Sequence, residues 1–176
     1  MDFIVETERL ALRAWESEEA NSLFELMRDA ETMRYVGDGS PWGGVGRARE
    51  WLGWMDDSQR GRGYCRWAIV EKECGRVVGL CGFFDVLGKV DFGYLLARDR
   101  WGRGYATEAG RAALRHGFER LGFEDVVART APENSASRRV LEKLGFEFRG
   151  LVYHEFDRET VASYSLSSVD FDAGQV

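Results

Sequence analysis

Apolar and polar residues alternate through TERLALRAW (7–15), where polar partners separate Leu10, Leu12 and Ala14. A period of two predicts a half-buried strand. The period then changes: Ser17 stands in an N-cap position, and Ala20, Leu23, Phe24 and Met27 follow at helical spacing. YVGDGSPWGGVG (35–46), with close-set glycines and Pro41, predicts a loop, after which Ala48, Trp51, Leu52 and Met55 form one face of a second helix. CRWAIVE (65–71) and RVVGLCGFF (76–84) read as strands joined by a short hairpin connection, and KVDFGYLLA (89–97) as a third. A helix is expected from about Tyr105 to Leu121, with Ala106, Ala109, Gly110, Ala113 and Gly117 along a face small enough to approach a sheet closely. DVVART (125–130) is a short strand, SASRRVLEKLG (135–145) a helix closed by Gly145, and FEFRGLVY (146–153) and ETVASYSL (159–166) are the last strands. The predicted order is βααβββαβαββ, followed by a frayed tail over SSVDFDAGQV (167–176).

The length, 176 residues with 44% hydrophobic and 31% charged, suits one domain spanning 1–176. The richest apolar run, VVGLCGFFDV (77–86), is interrupted by glycine and aspartate and falls short of a membrane span. The acidic start MDFIVETERL lacks the basic and apolar regions of a secretory signal, so the expected location is the cytoplasm. Cys65, Cys74 and Cys81 are odd in number and contain no C-x-x-C pair, which argues against a disulfide framework and against a zinc site; no metal is expected. A net charge of -6 disfavours nonspecific nucleic-acid binding, so an anionic ligand requires a local basic site.

RDRWGRGYATEAGRAAL (98–114) offers one, since it gathers basic residues and glycines where a strand gives way to a helix. A nucleoside-triphosphate loop needs a lysine after its last glycine, whereas Gly104 is followed by Tyr105, Ala106 and Thr107. A dinucleotide fingerprint lacks its third glycine here, and Glu124 and Asp125 begin the next strand where the ribose-binding acid should end it. The third reading is an acyl-CoA pyrophosphate, held by backbone N–H groups of the Arg103–Thr107 turn at a helix start. The bland alternative is a plain tight strand-to-helix turn.

This stretch does not stand alone. Together with TERLALRAW, FGYLLARDRWGRGYATEA and NSASRRVLEKLGF (134–146), it resembles the GNAT superfamily of acetyl-CoA-dependent N-acetyltransferases, and more narrowly its RimJ/RimL-like branch. The resemblance runs from about Thr7 to Leu166. It implies an α/β (α+β) fold with a mixed, mostly antiparallel sheet, split by a bulge where acetyl-CoA binds. The family's diphosphate loop, Q/R-x-x-G-x-G/A, falls on Trp101, Gly102, Arg103, Gly104, Tyr105 and Ala106, with Trp101 in place of the leading Gln or Arg; Arg98 or Arg100 then supplies the lost charge. Thr107 continues the loop into the helix. Backbone groups at Leu95, Leu96 and Ala97 are expected to pair with the pantetheine arm. Asn134 would bond the same arm or cap the helix after it.

The implied chemistry is direct attack of a free amine on the thioester in a ternary complex, with stabilisation of the leaving thiolate. The tyrosine that many members use as general acid falls on Leu141 here. Ser137 is the nearest substitute, with an exposed helix serine as the alternative. Asp91 is a candidate base or acceptor contact, or else a salt-bridged strand aspartate. Glu155 and His154 follow the strand that borders the acceptor site. Tyr35, Trp51, Trp54 and Trp42 lie on the elements that wall the acceptor pocket; Trp42, stranded among glycines, and Tyr35 are the substrate-contact candidates. The partner is an amine acceptor: a protein α-amine, a small amine or an aminoglycoside-like compound. Neither nucleic acid nor membrane is implied, and a homodimer is compatible. A noncatalytic acyl-CoA sensor is the rival, favoured by Leu141.

Overall fold

A computed structural model describes residues 3–154 and 159–173. Its strands, β1 (Val5–Glu6), β2 (Leu10–Arg13), β3 (Arg66–Glu71), β4 (Arg76–Val86), β5 (Lys89–Leu96), β6 (Asp125–Thr130), β7 (Glu147–His154) and β8 (Glu159–Ser167), form one sheet in the order β1-β2-β3-β4-β5-β6-β8-β7. Every neighbouring pair is antiparallel except β5 and β6. The helices are α1 (Ala20–Met27), α2 (Ala30–Met33), α3 (Val45–Arg62), α4 (Tyr105–Glu119), α5 (Ser135–Lys143) and α6 (Ser168–Ala173). The architecture is thus mixed α/β, as the alternation of periods predicts, with the short β1, α2 and α6 added.

Two hydrophobic clusters sit on opposite faces of the sheet. On one face Phe83, Phe92, Tyr105, Ala109, Ala113, Leu141 and Tyr164 pack between the strands and helices α4 and α5. On the other, Leu80 and Leu95 meet Leu23, Met27, Ala48 and Leu52 from α1 and α3.

Several expectations are corrected. β2 is buried at all four positions rather than alternating: α4 covers one face, and the buried Arg13 is matched by Glu19 at 2.6 Å. Ser17 does not cap α1: a 3-10 turn over Ser17–Glu19 comes first, and the Glu16 backbone N–H donates to Glu19 Oε2. The tail does not fray before Ala173, since Phe171 is buried and packs at a tilt against Phe118, ring centroids 5.2 Å apart. The sheet is split at β5, but not by a bulge. The β4–β5 ladder runs unbroken from Val86↔Lys89 to Gly79↔Leu96, whereas β5 meets β6 only at Asp91↔Val127 and Phe92↔Ala128. β6 continues along β8 as far as Thr130↔Ala162 and so parts from β5 after Phe92.

Candidate active site

The parting of β5 from β6 exposes backbone. Ala97 N–H bonds Val78 C=O, so in an antiparallel ladder the polar groups of Ala97 and Leu95 turn to β4, and those of Leu96 and Tyr94 turn to the opening. Of the expected positions Leu95, Leu96 and Ala97, Leu96 alone turns its backbone polar groups to the opening, where Tyr94 joins it. The Leu96 carbonyl accepts from Trp101 Nε1 at 2.9 Å, which ties the loop to the strand it follows.

Beyond Leu96 the chain makes a 3-10 turn over Arg98–Arg100 and then enters α4 through Gly102 and Gly104, at φ 72 and 78. A side chain is disfavoured at such angles. No atom lies within 4 Å of a Cβ built on Gly102, and only Arg9 Nη2, at 3.7 Å, approaches one on Gly104. Gly104 brings no side-chain cap, so among the described residues the amides of the first turn of α4 face the groove without a capping acceptor. Open backbone donors at the positive end of a fifteen-residue helix fit a diphosphate.

Other loop residues serve the scaffold. Glu71, buried at the end of β3, accepts from Arg100 Nη2 at 2.8 Å and from the Tyr105 hydroxyl at 2.6 Å. These bonds, Arg100's foremost, hold the Glu71 carboxyl down at about 2. Arg100 is thus compensated rather than available to a phosphate, and Tyr105 anchors the helix start with Arg9 over its ring. Arg98 is exposed, and the Arg103 carbonyl accepts from Arg9 Nη1.

A groove of about 530 Å³ runs from these glycines between α4 and α5, bordered by Tyr94, Leu96, Ala106, Thr107, Asn134 and Ser137. Asn134 caps α5, its side-chain oxygen accepting from Ser137 N–H at 3.0 Å. Arg139 and Lys143, one turn apart on α5, and Tyr35 and Arg34 beyond α2 complete the rim. Tyr94 escaped the sequence reading because it sits in a strand that reads as core. Burial raises its hydroxyl to about 12, against a smaller opposing hydrogen bond with Ser137. Leu141, at the position of the family tyrosine, is 2% exposed and belongs to the core.

The other predicted residues lie elsewhere. Trp42 is not a loop contact: it is 7% exposed, packs in the α1–α3 cluster with Arg47 over its ring, and its backbone N–H donates to Met27 C=O. Apolar area drives it inward despite its glycine neighbours. Asp91 faces away from α4 and is buried, with Arg66 Nη2 at 2.7 Å from one oxygen and Arg129 Nε at 2.9 Å from the other. Both Asp91 oxygens are thus engaged by guanidinium groups on the face opposite the groove. Arg129 Nη1 in turn lies 2.7 Å from His154 Nδ1. Glu155 lies outside the described residues. His116 is a packing residue, edge-on to Trp67 at 5.6 Å.

Residues 9–147 match the family model for the acetyltransferase (GNAT) domain. The chain belongs to the GNAT acetyltransferase family. An uncharacterized N-acetyltransferase of Bacillus licheniformis is 34% identical over 149 residues, covering 83% of each chain. In structure, this GNAT domain is similar to RimL, a ribosomal L7/L12 alpha-N-protein acetyltransferase in complex with coenzyme A, with a TM-score of 0.81 at 19% identity over 94% of this chain and 98% of that one. It is similar also to an acetyltransferase of Agrobacterium tumefaciens, with a TM-score of 0.80 at 23% identity over 96% of both chains. GNAT acetyltransferases use acetyl-CoA as donor, and the groove's uncapped amides suit its diphosphate. Among the described residues, no helix is long and apolar enough to cross a membrane.

Proposed function

We propose that the protein is a cytoplasmic N-acetyltransferase that transfers the acetyl group of acetyl-CoA to a primary amine by direct attack in a ternary complex. The observation that carries this reading is the junction of the β5–β6 opening with the uncapped start of α4. Amides of Arg103 to Thr107 bind the diphosphate, and Arg139 and Lys143 add positive charge along α5. Backbone groups of Tyr94 and Leu96 pair with the pantetheine arm, as an added strand pairs with an edge. The Asn134 oxygen is committed to its cap, which leaves the amide nitrogen for that arm.

Acetyl-CoA supplies an activated acyl carbon. The amine, as free base, forms the new C–N bond while the C–S bond breaks, and the amine's proton passes to water. Tyr94 and Ser137 face the leaving sulfur. A thiol titrates near about 8.5, well below the tyrosine hydroxyl at about 12. Full proton transfer from Tyr94 is therefore uphill, and its part is to donate a hydrogen bond that stabilises the thiolate.

Leu141 favours a second reading, a noncatalytic acyl-CoA sensor. Thiol release from acetyl-CoA over a panel of protein N-terminal, small and aminoglycoside amines, alongside a thermal shift with CoA, separates the two. Turnover on any amine supports the enzyme. A CoA-dependent shift without turnover supports the sensor, and no shift sinks both.

A further inference from the structure

One peptide of the donor loop is fixed from outside the loop. Gly104 C=O accepts the Glu108 N–H at 3.0 Å, so the helix itself sets the peptides that follow. The peptide between Arg103 and Gly104 lies ahead of that first helical bond. Glycine admits φ of either sign, so the local chain leaves this plane free to turn over. Its carbonyl is held by Arg9, whose Nη1 donates to it at 3.0 Å. Arg9 stands in the turn between β1 and β2, 94 positions from Arg103 along the chain.

Arg9 is itself firmly placed. Its Nε donates to Glu108 Oε2 at 2.7 Å and its backbone N–H to Oε1 at 3.1 Å, while its carbonyl accepts from the Lys72 N–H at 3.0 Å. The guanidinium lies over the Tyr105 ring, 4.5 Å from its centroid, and the Thr7 hydroxyl donates to the same Glu108 carboxylate at 2.6 Å. Glu108 matches the Arg9 charge, so what the planar fork brings to the loop is direction. A trans peptide points its C=O and N–H to opposite sides. A carbonyl turned to Arg9 therefore turns the Gly104 N–H away from it, and among the described residues that N–H meets no acceptor. Gly104 borders the groove.

We infer that Arg9 is a positioning residue for the acetyl donor: by holding the Arg103 carbonyl it keeps the Gly104 N–H aimed at the diphosphate before the donor arrives. The inference rests on the acetyltransferase reading. Arg9 then acts on the diphosphate alone, through one peptide plane, and has no part in the reaction at the thioester.

The test compares acetyl-CoA with S-acetylpantetheine, which carries the same thioester and arm but no diphosphate. In Arg9→Ala, kcat/KM for acetyl-CoA is expected to fall about tenfold, through KM rather than kcat, while kcat/KM for S-acetylpantetheine stays at the parent's value. A merely structural role lowers both alike. Equal losses, or no loss with acetyl-CoA, overturn the inference and leave the acetyltransferase intact. Arg9→Lys keeps a charge beside Glu108 without the fork and is expected to recover stability more than donor preference; full recovery of that preference assigns the effect to charge and overturns the inference. Should Arg9→Ala fail to fold, Arg9→Lys is read in its place by the same comparison. Should no amine turn over, calorimetry with CoA decides, with Thr7→Val as a variant that loosens the same network without freeing the Arg103 carbonyl. Weaker binding in the Arg9 variants with affinity kept in Thr7→Val upholds the inference. Equal affinity throughout, or an equal loss in Thr7→Val, overturns it, and a parent that binds no CoA removes the loop assignment along with it.

Discussion

On the α4 side of the β5–β6 opening the site is made of backbone: two left-handed glycines, the amides of one helix start and the outward groups of Tyr94 and Leu96. On the opposite face of the sheet, side chains from four strands meet instead, Arg66 and Arg129 paired with Asp91 and Arg129 touching His154. A backbone site tolerates most substitutions except at the glycines that let a ligand approach. A side-chain site depends on charge balance, so single changes there disturb stability and recognition together. The first kind suits a ligand shared across a family.

The sharpest way to break this contrast is Gly104→Glu. It puts a carboxylate and a strained backbone, at φ 78, where the diphosphate would lie. CoA affinity, measured by calorimetry, is expected to fall more than about a hundredfold, about 3 kcal/mol, while circular dichroism shows a folded protein. Unchanged affinity would refute the loop assignment.

Asp91→Asn should act on the other side and mainly on stability. Removing the charge takes away the carboxylate that the Arg66 guanidinium bonds in a half-buried site, at a cost of about 3 kcal/mol. A drop in the urea midpoint with CoA affinity preserved is expected. A loss of turnover at unchanged stability would instead restore Asp91 as a base.

A smaller effect is expected for Tyr94→Phe, which removes one hydroxyl facing the sulfur. Turnover should fall about tenfold, about 1.4 kcal/mol in barrier, with little change in CoA affinity. Turnover equal to the parent's would shift thiolate stabilisation to Ser137 alone.

The gentlest probe concerns the scaffold beneath the loop. The Glu71 carboxyl is held at about 2 in the fold, chiefly by Arg100, against about 4.3 when unfolded. Its stabilisation is therefore complete above about pH 4.3 and lost as pH falls toward 2. Glu71→Gln should lower Tm at neutral pH and show a smaller further loss between pH 6 and 3 than the parent, by thermal melts.

The donor side was legible in the sequence because most of its determinants are local. WGRGYA places glycines at a turn, and the change of period around it marks strand and helix. Trp42 was misread because its glycine neighbours describe the local chain, whereas its burial depends on α1 and α3 closing over it. Tyr94 was missed for the same reason. It lies in a strand whose period marks a face, but not which other residues share that face.

The sequence alone thus determined the order of the longer elements, the glycine turn and, through the family motifs, the acetyl donor. The tertiary structure decided that β6 leaves β5 after Phe92, that Glu71 rather than a phosphate claims Arg100, and that Arg66 crosses β4 to reach Asp91. Hydrophobic period and turn chemistry act over a few residues and can be read along the chain. Ion pairs and burial act between residues tens of positions apart, and only strand register brings those together.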